Sequence, residues 1–392
     1  RSPFCDIDDV STMTQSITRR AFLKLGASAL ALAALPPLPL PPDDRAARPE
    51  RRLGRVTTWH AGIHSEPDPK APEVDRRRTD DIVNILDEVK GVGHYSHNPI
   101  WYQVIGGYIY SSWVQPVEYR FNRPVTHVEP PGMLAWVTVP YTDARAQPDA
   151  ALPRRYRLYY DSIFRVVDVR VVSNDVSAAA PAPSTPECEA DCHGFLPAPR
   201  SVGESQTPAL RPAPAPDAVW YGLRDGLTWG GVNWVRAEHL RMISPQEMTP
   251  LSSHVEGKRI LIELSKQRLT CFEGQDAVFD TRLSSGMYGM ATPQGVHRVL
   301  QKVPTTRMTG GVGRNYYDLP GIGFVTYFTA SGVAVHGTYW HNDYGRPRSH
   351  GCVNVPTAAS QWVYRWTRPT VPYEEQRVFA DAQNATAIEV VY

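Results

Sequence analysis

From about residue 54 onward, apolar and polar positions alternate over short runs. DIVNILDEV, IWYQVI and GYIYSSWVQPV are separated by Gly, Asn and Pro. That pattern predicts short strands in a small all-β unit over residues 54–118. A weaker echo follows over 119–250. There YRLYYDSIFRVVDVRVV (156–172) leads, after an interruption, to VWYGL and NWVRAEHLRMI. Trp101-Tyr102 and Trp220-Tyr221 each open a run that reaches an aromatic-Val pair, Trp113-Val114 and Trp234-Val235. The repeat predicts two related units of small-barrel type, with most of the aromatics in their cores.

A third β-rich region covers 257–392. KRILIEL reads as a strand and QRLTCFEGQDAVFDTRLSSG as a hairpin followed by another strand. ATPQGVHRVLQKV continues the pattern, and GFVTYFTASGVAVHGT gives two strands around Ser331-Gly332. Only TAASQWVYRWT carries a helical pattern. The fold class expected is mainly β. The first two units are similar in pattern to bacterial SH3-like modules, although no diagnostic motif marks them.

Composition changes the picture at the N-terminus and between the strands. The 36 prolines cluster, which marks linkers and loops rather than long helices. TRRAFLK followed by LGASALALAALPPLPL reads as an export signal of twin-arginine type over 13–40, against the plainer reading of a core helix behind two arginines. The apolar run is too short to favour a membrane span, so membrane attachment is expected only if the signal stays uncleaved. Residues 1–12 precede Met13 and are expected to lie upstream of the working protein. The proline-rich, charged stretch to residue 53 reads as a linker over 41–53. Residues 177–217, rich in Ala, Pro and Ser, read as a disordered insertion within a hairpin of the second unit. A net charge of +1 gives no polyanion-binding signature, so no nucleic-acid partner is expected.

Export implies an oxidising compartment. Cys188 and Cys192 are close enough in sequence to pair if their loop permits it. Cys271, in RLTCFEG, reads as a buried small hydrophobe. Cys352 is left unpaired and needs an explanation. It lies in HGTYWHNDYGRPRSHGCVN (336–354), which holds three histidines and one cysteine. GVAVH ends a strand at His336. RPRSHGCVN has no helical pattern, and if it is extended His350 and Cys352 project to one side. A thiol beside an imidazole is a nucleophile whose proton the imidazole takes and later returns to a leaving amine. Backbone N–H groups at Gly351 and Cys352 could stabilise an oxyanion. Ser349 and Asn354 would add polar groups at the rim. A zinc site of His336, His341, His350 and Cys352 is the alternative, but it lacks the paired spacing of zinc motifs. Satisfied polar loop residues are the plainest alternative. Spacing alone does not decide which histidine is the base. Papain-like enzymes place Cys before His, and sortases use a longer gap and a Thr-Cys motif; neither order fits.

HGT…RPRSHGCVN, with LSSG (283–286), TPQG (292–295) and VAVHGT upstream, resembles the signature of the L,D-transpeptidase (YkuD-type) family over roughly residues 258–392. SSG stands where Ser-Thr-Gly is commoner, and the interval from His336 to Ser349 is somewhat short. The resemblance implies a β-sandwich-like catalytic domain with no cofactor and no metal. It implies Cys352 as nucleophile and His336 as general base and acid, oriented by a backbone carbonyl just after it. His350 would position the site and help shape the oxyanion hole. Tyr317 and Met308 would line the donor pocket, where plain core or lid roles are equally open. The partners implied are peptidoglycan stem peptides, a donor tetrapeptide and an acceptor amine, with Cys352 open to carbapenem-type acylation. The function implied is formation of cross-links between third-position stem residues with release of D-Ala. Alternatives are an L,D-carboxypeptidase or a non-catalytic wall-binding protein.

Overall fold

The computed structural model describes residues 52–173, 217–224, 226, 231–313, 316–381 and 383–392. The export signal, most of the linker, nearly all of the 177–217 insertion, Cys188 and Cys192 lie outside the described residues. A strand begins at Arg52, inside the stretch read as linker.

In the first module, Arg52–Val56 pairs with Ile82–Ile85 and Val114–Val117 in a three-stranded sheet. A five-stranded sheet contains Ala61–His64, Glu73–Arg77, Asp87–Tyr95, Asn98–Val104 and Gly107–Tyr110. Val56, Ile63, Trp101, Tyr102 and Ile109 are buried at the centre. The expected core role therefore holds for both aromatics of the Trp101-Tyr102 pair. The hairpin formed by Asp87–Tyr95 and Asn98–Val104 carries Ser96 and His97 at its tip.

The second module is built on five strands, Met133–Val137, Ile163–Ser173, Asp217–Arg224, Asn233–Arg236 and Leu240–Met242. Ser173 pairs with Asp217 at the end of the Ile163–Ser173 and Asp217–Arg224 hairpin. Phe164 of this module packs on Gly321. A Cβ there would stand 2.3 Å from the Phe164 ring, so only glycine admits the contact.

The C-terminal domain holds two five-stranded sheets. One orders Asp276–Arg282, Arg268–Glu273, Lys258–Glu263, Ala387–Val391 and Gly295–Arg298. The other orders Val353–Val355, Ala334–Gly337, Tyr317–Tyr327, Gln301–Gly310 and Val378–Phe379. Ile260, Ile262, Leu269 and Ile388 of the first sheet meet Val335, Val353 and Val355 of the second in one core. Cys271 is fully buried there, as the sequence suggests.

The helix Thr357–Trp366 turns Ala359, Val363 and Trp366 toward the same core, the spacing that made it recognisable. Burying Val363 or Trp366 stabilises by about 2–3 kcal/mol each. Two buried lysines receive the far end of this helix. Lys258 Nζ donates to Trp366 O at 2.9 Å, and Lys302 Nζ donates to Thr367 O at 2.8 Å and Pro369 O at 2.7 Å. They satisfy carbonyls that the end of the helix leaves open. The strand Val353–Val355, which begins directly after Cys352, leads into this helix.

Candidate active site

His336 lies on Ala334–Gly337, and Cys352 immediately precedes Val353–Val355. The two strands are parallel neighbours, with His336 opposite Asn354 and Val335 opposite Val353. The pleat therefore puts His336 and Asn354 on one face, with Cys352 two residues before Asn354. The thiol lies along the strand that carries His336. Its Sγ is 3.9 Å from Gly332 O, and it also takes a backbone hydrogen bond from Ala334. Among the described residues no hydrogen bond joins Sγ to the His336 ring.

The state of His336 follows from one contact. Its Nδ1 is 2.9 Å from Gly337 O. A carbonyl oxygen only accepts, so Nδ1 carries the proton and Nε2 is left with its lone pair. Burial lowers the His336 pKa to about 4, with the Gly337 bond opposing. Burial also raises the Cys352 thiol, with the Ala334 backbone bond opposing. At rest the pair is a neutral thiol near a neutral imidazole.

The loop before Cys352 is held from behind by the upstream markers. Arg348 N and Ser349 N both donate to Ser285 O, at 2.8 and 3.0 Å. Ser284 and Asn354 exchange backbone bonds at 2.9 and 3.0 Å. Thr292 Oγ1 accepts from Gly286 N at 2.9 Å and donates to Gly351 O at 2.8 Å. LSSG and TPQG, about sixty residues upstream in sequence, are thus the floor of the cysteine loop. Ser285 and Thr292 carry this support, and the sequence reading passed over them as side chains. On that side a cleft of about 670 Å³ opens between the domain and the tip of the first module, lined by His94, His97, Ser285, Thr292 and Arg346.

Three expectations are corrected. Gly351 takes φ +120°, open chiefly to glycine, but its N–H donates to Ser349 Oγ at 3.1 Å. It is spent inside the loop. The N–H of Cys352 has no hydrogen-bond partner among the described residues and is the freer donor. Ser349 is buried rather than at a rim, its hydroxyl donating to Cys352 O. Asn354 is also buried, against His341. Asp343 N–H donates to His341 Nδ1 at 3.2 Å, so the His341 proton sits on Nε2. That nitrogen is 3.1 Å from the Asn354 side-chain amide. We assign the amide with its oxygen toward His341, the only orientation in which a donor meets an acceptor.

His350 stacks obliquely with Tyr317 at 4.9 Å between ring centroids. Its Nε2 is buried with no partner. Burial and the nearby Cys352 both raise the Tyr317 hydroxyl. Tyr317 therefore sits over the cysteine loop from the end of the hairpin formed by Gln301–Gly310 and Tyr317–Tyr327. Met308 lies on the opposite arm and packs against the cluster of Val303, Ile322 and Tyr339. His336 Nδ1 and both His341 nitrogens are already bonded within the protein, and no group of three metal-ligating side chains occurs among the described residues.

Residues 257–375 match the family model of the L,D-transpeptidase catalytic domain, YkuD.

No curated protein matches the chain. Among solved structures, the chain is similar to a mutant L,D-transpeptidase from Enterococcus faecium at 21% identity and a TM-score of 0.28, covering 35% of this chain and 50% of that one. It is also similar to the L,D-transpeptidase from Mycobacterium smegmatis, at 18% identity and a TM-score of 0.29, with 44% and 90% covered. A third is L,D-transpeptidase 3 from Mycobacterium tuberculosis in complex with a faropenem-derived adduct, at 17% identity and a TM-score of 0.28, with 42% and 76% covered. The match spans half the length of the Enterococcus structure. The catalytic-domain match ends at residue 375, after the helix that follows Cys352. Every site residue named above, apart from those of the first module, falls inside it.

Proposed function

We propose that the protein is an exported peptidoglycan L,D-transpeptidase that works through a Cys352 thioester. The observation that carries this reading is the His336–Gly337 hydrogen bond. It leaves an unprotonated Nε2 on the strand beside the cysteine, which is what a thiol nucleophile needs from its base.

In the first half-reaction His336 Nε2 takes the thiol proton and Sγ attacks the carbonyl between the third stem residue and the terminal D-Ala. The C–N bond breaks, the proton passes from His336 to the departing amine of D-Ala, and the thioester remains. In the second, the side-chain amine of another stem attacks the thioester. It gives its proton to Nε2, and the sulfur leaves as thiolate and is reprotonated. The oxyanion of each tetrahedral intermediate is served by the free N–H of Cys352. His350 and Tyr317, ring against ring over the loop, position the donor. Met308 shapes the hairpin that carries Tyr317. The two N-terminal modules act as SH3-like wall-binding units, and the insertion hangs from the second.

Products from purified muropeptide tetrapeptides, analysed by mass spectrometry beside Cys352→Ala, test the reading. A cross-linked dimer lacking one D-Ala, absent with the variant, is expected. Tripeptide as the sole Cys352-dependent product would replace transfer to an amine by hydrolysis.

A further inference from the structure

The first module touches the catalytic domain at the loop between His336 and the cysteine. Arg55 donates to Tyr339 O at 2.6 Å. Asn342 donates from its side chain to Ser111 O at 3.3 Å and Val114 O at 3.1 Å. At the hairpin tip, His97 Nε2 is 2.9 Å from Asp343 Oδ1.

Asp343 is fully buried, and its carboxylate is shared out completely. Oδ1 takes the His97 N–H, because a carboxylate only accepts. Oδ2 accepts from Arg346 Nε at 2.6 Å and from Arg348 at 3.0 Å. Arg346 in turn lies over the Tyr95 ring at 3.8 Å, again on the module's tip. Arg348 is the residue before Ser-His-Gly-Cys. The Asp343 N–H bonds His341, and His341 bonds Asn354, the register partner of His336. A continuous hydrogen-bonded chain thus runs from the tip of the first module to the strand beginning after Cys352.

We propose that His97 is a positioning residue for the transferase, and that the first module thereby sets the geometry of the cysteine loop. The inference rests on the transpeptidase reading for its functional meaning. Its physical content is that Asp343 has two arginines pulling on one oxygen and the His97 N–H holding the other, with the Ser112 hydroxyl of the same module as a further donor to the carboxylate. Removing the His97 donor leaves that oxygen with at most the Ser112 hydroxyl, so a buried carboxylate is short of a donor. The carboxylate then turns toward Arg346 and Arg348, and the chain through His341 and Asn354 loses its fixed end. No sequence periodicity links residues 97 and 343, which are 246 positions apart.

The full chain tests this with two probes at Cys352, a carbapenem as acyl donor and iodoacetamide as a plain alkylating agent. Both are read by peptide mapping, because the chain has other cysteines. His97→Ala is expected to slow both reactions roughly tenfold. His97→Gln keeps an N–H donor and is expected to recover most of the rate. Thermal midpoints of both variants should stay within about 3 °C of the parent. Parent-like rates in His97→Ala would overturn the proposal. So would an equal loss in His97→Gln, which would make the effect one of packing. If the parent alkylates at Cys352 but is never acylated, the transpeptidase reading fails on its own. The alkylation ratio of the two variants still decides the positioning claim.

Discussion

The Nδ1–H of His336 is bonded to the carbonyl of Gly337, its own neighbour in the strand, at 2.9 Å. The backbone thus does the work that a buried carboxylate does in other base-nucleophile pairs. A carbonyl fixes the tautomer without placing a full negative charge beside the ring, so it gives the imidazolium less support. Burial outweighs that support and keeps the imidazole neutral, with a pKa of about 4.

A pH profile follows from this. Burial raises the Cys352 thiol above its ordinary value of about 8.5. Alkylation by iodoacetamide should therefore rise steadily from pH 6 to pH 9 without a plateau. A preformed thiolate–imidazolium pair would instead give a flat rate from about pH 5 upward. Site-resolved rates over that range separate the two.

Stability should respond to acid through the same burial. The folded pKa of His336 is about 4 and that of His341 about 3, both below the ordinary 6.5. The unfolded chain then binds more protons than the folded one between those values. Stability contributed by the neutral rings is present above pH 6.5 and is lost as pH falls toward 4 and 3. Each histidine contributes at most about 1.4 kcal/mol per pH unit. Urea midpoints at pH 7, 6, 5 and 4 should fall progressively. Replacing His341 by Gln should flatten the curve.

Much of the site was legible because its signal is local. Ser-His-Gly-Cys, the strand ending at His336 and the helix after the cysteine each lie within a dozen residues. What was not legible is who bonds whom. Ser349 and Asn354 read as rim groups because they are polar and flank a nucleophile, yet both are buried and bonded within the loop itself. The Gly351 N–H read as an oxyanion donor because glycine lets the backbone approach, and a serine two residues away captures it. Ser285, Thr292 and His97 meet the loop across 59 to 246 positions, where no short-range pattern reaches.

Ser349→Ala should show how much the captured N–H matters. It removes the acceptor of Gly351 N and the donor to Cys352 O in a buried loop. We expect a loss of about 1–3 kcal/mol in unfolding free energy. Acylation of Cys352 should also slow, because the Gly351 backbone is no longer held. Chemical denaturation beside acylation kinetics checks both.

Gly310→Ala acts from the opposite side. A Cβ at residue 310 would stand 2.6 Å from the Tyr317 hydroxyl and 2.8 Å from its ring. The ring must move, and with it the contact to His350. We expect acylation to fall several-fold with little change in stability, since both residues lie at the end of the hairpin. In a double-mutant cycle, Gly310→Ala should cost nothing further once Tyr317 is Ala.

Lys302→Met tests the support behind the cysteine strand. It leaves Thr367 O and Pro369 O without their buried donor. A destabilisation of about 3 kcal/mol is expected. Equilibrium unfolding of the full chain measures it.

The central claim is a covalent acyl group on Cys352. Mixing the full chain with a stem tetrapeptide, quenching in acid and mapping peptides by mass spectrometry tests it most directly. The account predicts a tripeptidyl thioester on the peptide that contains Cys352, absent in Cys352→Ala and in His336→Ala, with free D-Ala released. D-Ala released by Cys352→Ala at the parent rate, with no adduct on the parent, would contradict it.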